Sequence, residues 1–309
     1  MQRITNNMLS SQLLLNINRN SVKMSDMQTQ MATGRKINKP SDDPVGITYS
    51  LRYRSELSSN EQYQKNVDSS VSWLDYNDTV MSQAGDVVQR IRELTVQAGT
   101  GTNPQSSLDS INEEIGELKE QLIDIANSTL NGKYVFNGQK YTDKPFVFPK
   151  NEDGTSNTDD LKTVMDQIDQ GPVNYTVSAG VSMTVNITSN DVFGNAEDQD
   201  NIFNIINNIS TALAKGDISS VSAQLDNIDT RSDKMLSVRA EVGAKTNRIE
   251  LLQNRLSDME TNLTDLQSKT EDADYAQLIM NSQIQENIYN ASLSAGAKII
   301  SPSLADFLK

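Results

Sequence analysis

Three groups of neighbouring carboxylates are the residues of this chain whose type and spacing could do chemistry. They are Asp42 with Asp43, Glu113 with Glu114, and Glu271 with Asp272 and Asp274. In other proteins such groups act as general acid and base or hold a divalent cation. Here each group lies near the predicted start of a helix or on a helix face, where the helix dipole and solvent favour acidic side chains. We therefore interpret all three as helix caps or solvated faces.

The composition removes most other catalytic chemistry. The 309 residues include no histidine and no cysteine, so Ser-His-Asp triads, cysteine nucleophiles, disulfides and the usual zinc sites are excluded. Neither a GxxxxGK[ST] loop nor a GxGxxG loop for a nucleotide occurs, and the Asp-rich stretch 151–160 lacks the ligand spacing of an EF-hand. The sequence predicts no catalytic residue, no cofactor and no metal, so we expect a protein that is not an enzyme.

The net charge and the hydropathy of the chain limit the classes of partner and the cellular locations that fit it. The formal net charge is −14, which argues against nucleic acid or an anionic membrane as a partner. Residues 141–230 hold 14 acidic and 4 basic side chains, as expected for a solvated outer region. The chain has no apolar run long enough to span a membrane and lacks the pattern of a secretory signal peptide. The sequence predicts a protein that is cytoplasmic, or exported by a route that leaves no cleaved signal.

Proline positions and apolar periodicity predict long helices. Residues 1–39, 45–103 and 173–301 contain no proline, which would cost about 3 kcal/mol inside a helix. From Leu108 to Ile125 the apolar residues alternate at spacings of three and four, as in a coiled-coil seam. Similar seams run through 67–98 and 235–266, and a weaker one through 13–31. The stretch that contains the seam 235–266 predicts one helix from about 219 to 269. Each narrow seam needs a partner helix along its length.

Turn and cap signals divide these stretches. The sequence Ser-Asp-Asp-Pro at 41–44 offers an acidic N-cap followed by proline at the first helical position. Residues 134–136 and 146–148 are strand-like, and two alternating segments around Gly180 predict a hairpin. The fold class predicted is mainly α: an elongated rod of long antiparallel coiled-coil helices built from both chain ends, with a small β-rich insert.

Short motifs near both ends of the chain carry the most specific signal in the sequence. The N-terminal motifs are Arg3–Met8, Gly34–Gly46, Asn60–Tyr63, Trp73–Leu74 and Arg90–Ala98, and the C-terminal ones are Asn254–Leu256, Glu271–Ala276 and Ser301–Leu308. In these residues the chain resembles the bacterial flagellin superfamily. The start, the segment around 40–44 and the tail resemble the members at the junction between hook and filament, whereas Arg90–Ala98 is shared with filament flagellins. A filament flagellin is therefore one alternative, and a surface adhesin that uses the insert is another.

The resemblance implies three parts and a place in the cell. Residues 1–42 with 272–309 would form a terminal helical core layer, 43–137 with 194–271 a helical rod domain, and 138–193 a β-rich outer insert domain. The chain would be a structural subunit of the extracellular flagellum. It would leave the cell through the flagellar type III apparatus without a cleaved signal peptide.

The resemblance also implies partners and contact residues. The partners would be further copies in a ring at the junction, hook-associated protein 1, flagellin, and an export chaperone at the C-terminal helix. The candidate subunit-interface residues are Ile4, Met8, Leu13, Ile17, Ile288, Leu293, Ile299, Leu304, Phe307 and Leu308. The family-motif contacts in the rod would be Arg90, Arg92, Glu93, Leu94 and Gln97.

Overall fold

A computed structural model of the chain describes residues 6–101, 103–151, 155–158 and 160–300. The helices are α1 (Asn6–Thr33), α2 (Pro44–Ala98), α3 (Gln105–Ala126), α4 (Leu161–Met165), α5 (Ser189–Phe193), α6 (Ile202–Lys215), α7 (Ile218–Ala223), α8 (Leu225–Glu271) and α9 (Tyr275–Ile300). The strands are β1 (Thr129–Leu130), β2 (Lys133–Tyr134), β3 (Asn174–Ser178) and β4 (Val181–Thr184), paired as two antiparallel hairpins. The predicted mainly α class, with long helices from both chain ends and small β elements, is confirmed.

The described residues group into two compact units. The terminal unit comprises residues within 1–59 and 258–309, and the central unit comprises residues within 60–257. Helices α2 and α8 contribute residues to both units. The predicted division into core layer, rod and insert does not correspond to these two units, and it stays a prediction.

The core of the central unit is built on the predicted seams. The α2 seam is buried from Val67 to Ala98, and its polar members Ser70 and Asn77 are buried with it. The Ser70 hydroxyl donates to the carbonyl of Asn66, four residues earlier, at 2.7 Å. This local bond satisfies the hydroxyl and allows a polar residue inside an apolar seam.

Five phenylalanines form the centre of a second part of this core. They are Phe136, Phe146, Phe148, Phe193 and Phe203. The Phe146 ring lies 5.4 Å from that of Phe193 and 5.5 Å from that of Phe203, between ring centroids. Residues of the segment 138–193 therefore share one hydrophobic core with α6. Aromatic pairs at these separations add stabilisation beyond the area they bury.

The hairpin predicted around Gly180 is present, but the strand expected at 146–148 is wrong, and of 134–136 only Tyr134 lies in a strand. The physical reason is visible at Phe146. Its backbone N–H donates to Oδ1 of Asn127 at 2.9 Å, and its carbonyl accepts from Nδ2 of the same side chain at 2.9 Å. A side-chain amide thus takes the place of a neighbouring strand, so the backbone is satisfied without a ladder.

In the terminal unit, α1 packs against α9. The weaker seam predicted for α1 is half-buried at Leu13, Ile17, Met24 and Met27. Leu13 lies against Gly296, where a Cβ would come within 2.8 Å of its Cδ2 atom. Glycine therefore allows the two helices to approach closely at this level.

Candidate assembly surfaces

The two chain ends are joined where α1 ends and α8 ends. The N–H of Lys36 donates to the carbonyl of Glu271 at 2.7 Å, and the N–H of Ala273 donates to the carbonyl of Gly34 at 3.0 Å. Gly34 has a φ of +71°, which L side chains rarely adopt. The hydroxyl of Tyr275 donates to the carbonyl of Met31 at 2.7 Å. We call residues 34–37 and 271–275 the chain-end clasp.

Glu271 is the charged centre of the clasp. It is 1% exposed and receives two hydrogen bonds from Arg54, at 2.8 Å to Oε1 and 2.5 Å to Oε2. The Ser50 hydroxyl also donates to its Oε1, and Nε of Arg35 lies 3.4 Å from Oε2. The Arg54 hydrogen bonds, helped by Ser50, outweigh burial and lower the pKa of Glu271 to about 2. The interpretation of this carboxylate as a cap or solvated group is therefore wrong.

Two of the other carboxylates of this region, Asp43 and Asp274, are helix caps, as predicted, whereas Asp42 binds the loop before α2. Oδ1 of Asp43 accepts from the N–H groups of Val45 and Gly46 at 3.1 and 2.9 Å, and α2 begins at Pro44. The N–H groups of Asn38 and Lys39 donate to Asp42 and lower the pKa of its carboxyl. At the start of α9, Oδ1 of Asp274 accepts from the N–H of Gln277 at 3.1 Å.

The terminal helices expose several predicted interface residues. Met8 is 62% exposed, Ile288 45% and Leu293 44%. Leu13 and Ile17 are instead half-buried between α1 and α9. Ile4, Leu304, Phe307 and Leu308 lie outside the described residues, as does the side chain of Ile299. Because none of these findings concerns a second copy, the interface assignment stays a prediction.

The sequence reasoning missed a wider apolar surface on the same helices. The additional exposed residues are Leu9, Leu14, Leu15 and Val22 on α1, and Tyr275, Ile279, Met280 and Ile284 on α9. On α9, Met280, Ile284 and Ile288 follow one another at intervals of four, which places them on one helix face. That spacing was the signal available in the sequence. An exposed apolar face of this length is typical of an interaction surface.

The family-motif residues of α2 make contacts within the chain. Nη2 of Arg90 lies 2.7 Å from Oε1 of Glu114 on α3, and Nη1 lies 3.1 Å from Oε2 of Glu93. Nε of Arg92 lies 2.5 Å from Oδ1 of Asp229 on α8. These bonds raise the pKa of both guanidinium groups. Arg90 and Arg92 thus link α2 to α3 and to α8 through exposed ion pairs.

The other motif residues of α2 differ in burial. Leu94 is buried in the core, and the Gln97 side chain is exposed.

The fold consists of long helices, and a buried ion pair lies where the two chain ends meet. The terminal helices α1 and α9 expose apolar residues. These features are those of a structural protein that packs helix against helix. Among the helices that the structure describes, none is both long and apolar enough to cross a membrane. Residues 4–141 match the bacterial flagellin N-terminal helical region, and residues 225–308 match the bacterial flagellin C-terminal helical region. The chain belongs to the bacterial flagellin family, whose members are structural proteins of the flagellum and not enzymes.

Individual relatives extend the similarity across the middle of the chain. Flagellar hook-associated protein 3 of Escherichia coli K12 is 26% identical over 307 residues, covering 95% of each chain. The protein of that name from Salmonella typhimurium is 25% identical, covering 94% of each chain. A flagellin of Bacillus subtilis is 28% identical, covering 89% of this chain and 88% of its own.

Solved structures show the same fold. A putative flagellar hook-associated protein from Vibrio parahaemolyticus superposes with a TM-score of 0.64 at 19% identity, covering 75% of this chain and all of its own. Hook-associated protein 3 from Legionella pneumophila gives a TM-score of 0.59 at 16% identity, covering 71% of this chain and 98% of its own.

Proposed function

We propose that this chain is the structural subunit that joins hook-associated protein 1 to the flagellin filament, with its terminal helices as the assembly element. The observation that carries the proposal is the similarity to flagellar hook-associated protein 3 of Escherichia coli over 95% of both chains. The similarity includes the middle segment, whereas several flagellins match over less than half of this chain.

The terminal helices support an assembly role. Met280, Ile284 and Ile288 are each about half exposed in the single copy, and covering the exposed half would contribute roughly 1 kcal/mol for each residue. Packing against neighbouring copies in a ring, and against hook-associated protein 1 and flagellin, would provide that cover. In this arrangement residues 1–42 with 272–309 form the inner layer, 43–137 with 194–271 form the rod, and 138–193 project outward.

The same exposed surface is relevant before assembly. A chain exported through the flagellar type III apparatus, with no cleaved signal peptide, would carry uncovered apolar residues on its C-terminal helix inside the cell. An export chaperone bound to α9 would shield them until the subunit reaches the extracellular junction.

A filament flagellin is the second candidate, and one observation favours it. The Bacillus subtilis flagellin matches 89% of this chain at 28% identity, so full-length similarity is not confined to junction proteins. The two candidates differ in copy number and position. A junction protein occupies one zone at the end of the hook, whereas a filament subunit extends along the whole filament.

Deletion of the gene in its host, followed by electron microscopy, tests the proposal. We expect hooks without filaments, with flagellin released into the medium. An antibody against this chain should label a single zone at the distal end of the hook in wild-type cells. Label along the whole filament would identify a filament subunit, and unchanged filaments in the deletion strain would contradict both candidates.

A further inference from the structure

An exposed stripe on α8 combines two arginines with a leucine in the central unit. Leu251 is 71% exposed. Arg248 and Arg255 are also exposed and lie seven residues apart on the same side of the helix. Within the described residues neither arginine forms an ion pair. We call Arg248, Leu251 and Arg255 the α8 stripe.

A stripe of the opposite charge lies on α3. Glu113 and Glu117 are exposed, and neither forms an ion pair with another described residue. Gly116 lies beside Glu117, and a Cβ added to it would meet nothing within 4 Å, so the surface above it is open. We call Glu113, Gly116 and Glu117 the α3 stripe. The interval from Glu113 to Gly116 equals that from Arg248 to Leu251.

The two stripes face different directions in one copy. Arg90 of α2 pairs with α3 and Arg92 pairs with α8. Two residues along a helix correspond to a rotation of about 200°, so the two arginines flank the buried face of α2 that includes Ile91, and α3 and α8 pair with opposite edges of that face. The buried seam of α3 includes Ile115, and its acidic stripe is turned away from that seam. A single chain therefore cannot bring the two stripes together.

The stripes also lie at different levels along α2. Nε2 of Gln253, which lies between Leu251 and Arg255 along α8, donates to Oδ1 of Asp68 at 2.9 Å. Glu114, next to Glu113 on α3, instead accepts from Arg90. The 22 residues between these two positions of α2 correspond to roughly 33 Å. A contact between the stripes of two copies would therefore displace one copy along the helix direction relative to the next.

We propose that the α8 stripe of one copy docks on the α3 stripe of the next copy. Leu251 would lie over Gly116, with Arg248 and Arg255 beside Glu113 and Glu117. The inference rests on the proposed function only in requiring that copies assemble side by side. The contact joins two different surfaces, so it can repeat from copy to copy. Charge complementarity would fix its register and let a chain of net charge −14 pack against itself.

Disulfide trapping tests the contact directly, because the chain contains no cysteine. The full chain carrying Leu251→Cys and Gly116→Cys replaces the native protein in its host, and purified flagella are oxidised and run on a non-reducing gel. We expect a ladder of dimers and larger species, and monomers alone from each single-cysteine chain. A dimer from one single-cysteine chain would contradict the proposal, since it would show a symmetric contact.

A matched control moves one cysteine along the same helix. Leu236 is exposed on the outer side of α8, 15 residues before Leu251 and so displaced by about 22 Å. Leu236→Cys with Gly116→Cys should give no ladder. A ladder of equal intensity from this pair would overturn the proposed register.

Charge exchange in the two-cysteine chain gives a second readout. Arg248→Glu with Arg255→Glu should lower the cross-linking yield by about tenfold, since the stripes would then repel. Adding Glu113→Arg with Glu117→Arg to the same chain should restore the yield to within about twofold. Failure of this restoration would contradict the pairing.

The outcome also separates this inference from the proposed function. Monomers alone from the Leu251→Cys, Gly116→Cys chain, in flagella that contain the chain and drive swimming, would overturn the contact and leave the junction role intact. Normal flagella that do not contain the chain at all would overturn the junction role itself.

Discussion

At the scale of single residues, Glu271 links the two chain ends. Its carboxylate is almost completely removed from water, which is costly for an isolated charge. Paired hydrogen bonds from one guanidinium group, together with a hydroxyl, compensate this cost. The local sequence gave no sign of burial, because the neighbouring Asp272 and Asp274 are exposed. Only the return of α2 beside the end of α8 brings Ser50 and Arg54 to this carboxylate.

Glu271→Gln keeps the shape of the side chain but removes its charge. We expect it to lower the free energy of unfolding of the terminal unit by about 2 kcal/mol at pH 7, and to speed exchange of the Lys36 and Ala273 amide hydrogens. Because folding lowers the pKa of Glu271 to about 2, the wild-type advantage is complete above about pH 5 and is lost as the pH falls towards 2. Hydrogen exchange at pH 7 and pH 3 measures both effects. Glu286→Gln, at an exposed position of α9, should change neither.

A second buried ion pair holds the start of α8. Nη2 of Arg231 lies 2.6 Å from Oδ2 of Asp200, its side chain is 2% exposed, and burial lowers the pKa of the guanidinium. Arg231→Met removes the charge and leaves Asp200 buried, with Lys234 as its one ionic partner among the described residues, so we expect a loss of about 3 kcal/mol. Urea unfolding followed by fluorescence of Trp73, the single tryptophan, measures the loss. Lys234→Met should cost less than about 1 kcal/mol because Lys234 is half exposed. Equal losses would show that burial does not set the strength of the pair.

At the scale of elements, the sequence predicted which stretches are helical and which residues form their buried seams. It did not predict where a helix or a strand is interrupted. The seams of α2 and α3 are buried where the periodicity predicted them. The helix predicted from about 219 to 269 is instead divided near Gln224 into α7 and α8. No proline or glycine marks that break, so it depends on packing and not on local backbone preference. The irregular segment at Phe146 was missed for a similar reason, since its hydrogen-bonding partner Asn127 is distant in sequence.

Two neighbouring positions of α8 allow the seam to be tested. Ile249 is 0% exposed, whereas Leu251 is 71% exposed. Ile249→Ala should lower the free energy of unfolding by about 2–4 kcal/mol, since it removes buried methyl groups and leaves a cavity. Leu251→Ala should change it by less than about 0.5 kcal/mol. Trp73 fluorescence in urea measures both variants. A large loss for Leu251→Ala would show that this side chain is covered within the single copy.

At the scale of the whole molecule, periodicity identifies apolar helix faces but does not say which face is covered by which partner. On α9, Leu278 is buried in the single copy, while Ile284 and Ile288 are exposed. All three are apolar residues of one helix, and the sequence pattern does not distinguish the buried one from the two exposed ones. The family resemblance named Ile288 as an interface candidate and did not name Ile284. A helix with apolar residues on two faces needs the tertiary fold to decide which face is left for another subunit.

The exposed face of α9 gives the last prediction. Ile284→Asp with Ile288→Asp should leave the exchange of the Lys36 and Ala273 amide hydrogens of the terminal unit unchanged, because both side chains already face solvent. The same change should abolish assembly at the junction, since two charges would be buried against a neighbouring subunit. Electron microscopy of cells carrying the variant should show hooks without filaments. Asn281→Asp with Asn287→Asp adds the same charge to exposed polar positions of α9 and should assemble normally. Normal filaments on cells with the isoleucine variant would show that this face is not an assembly surface.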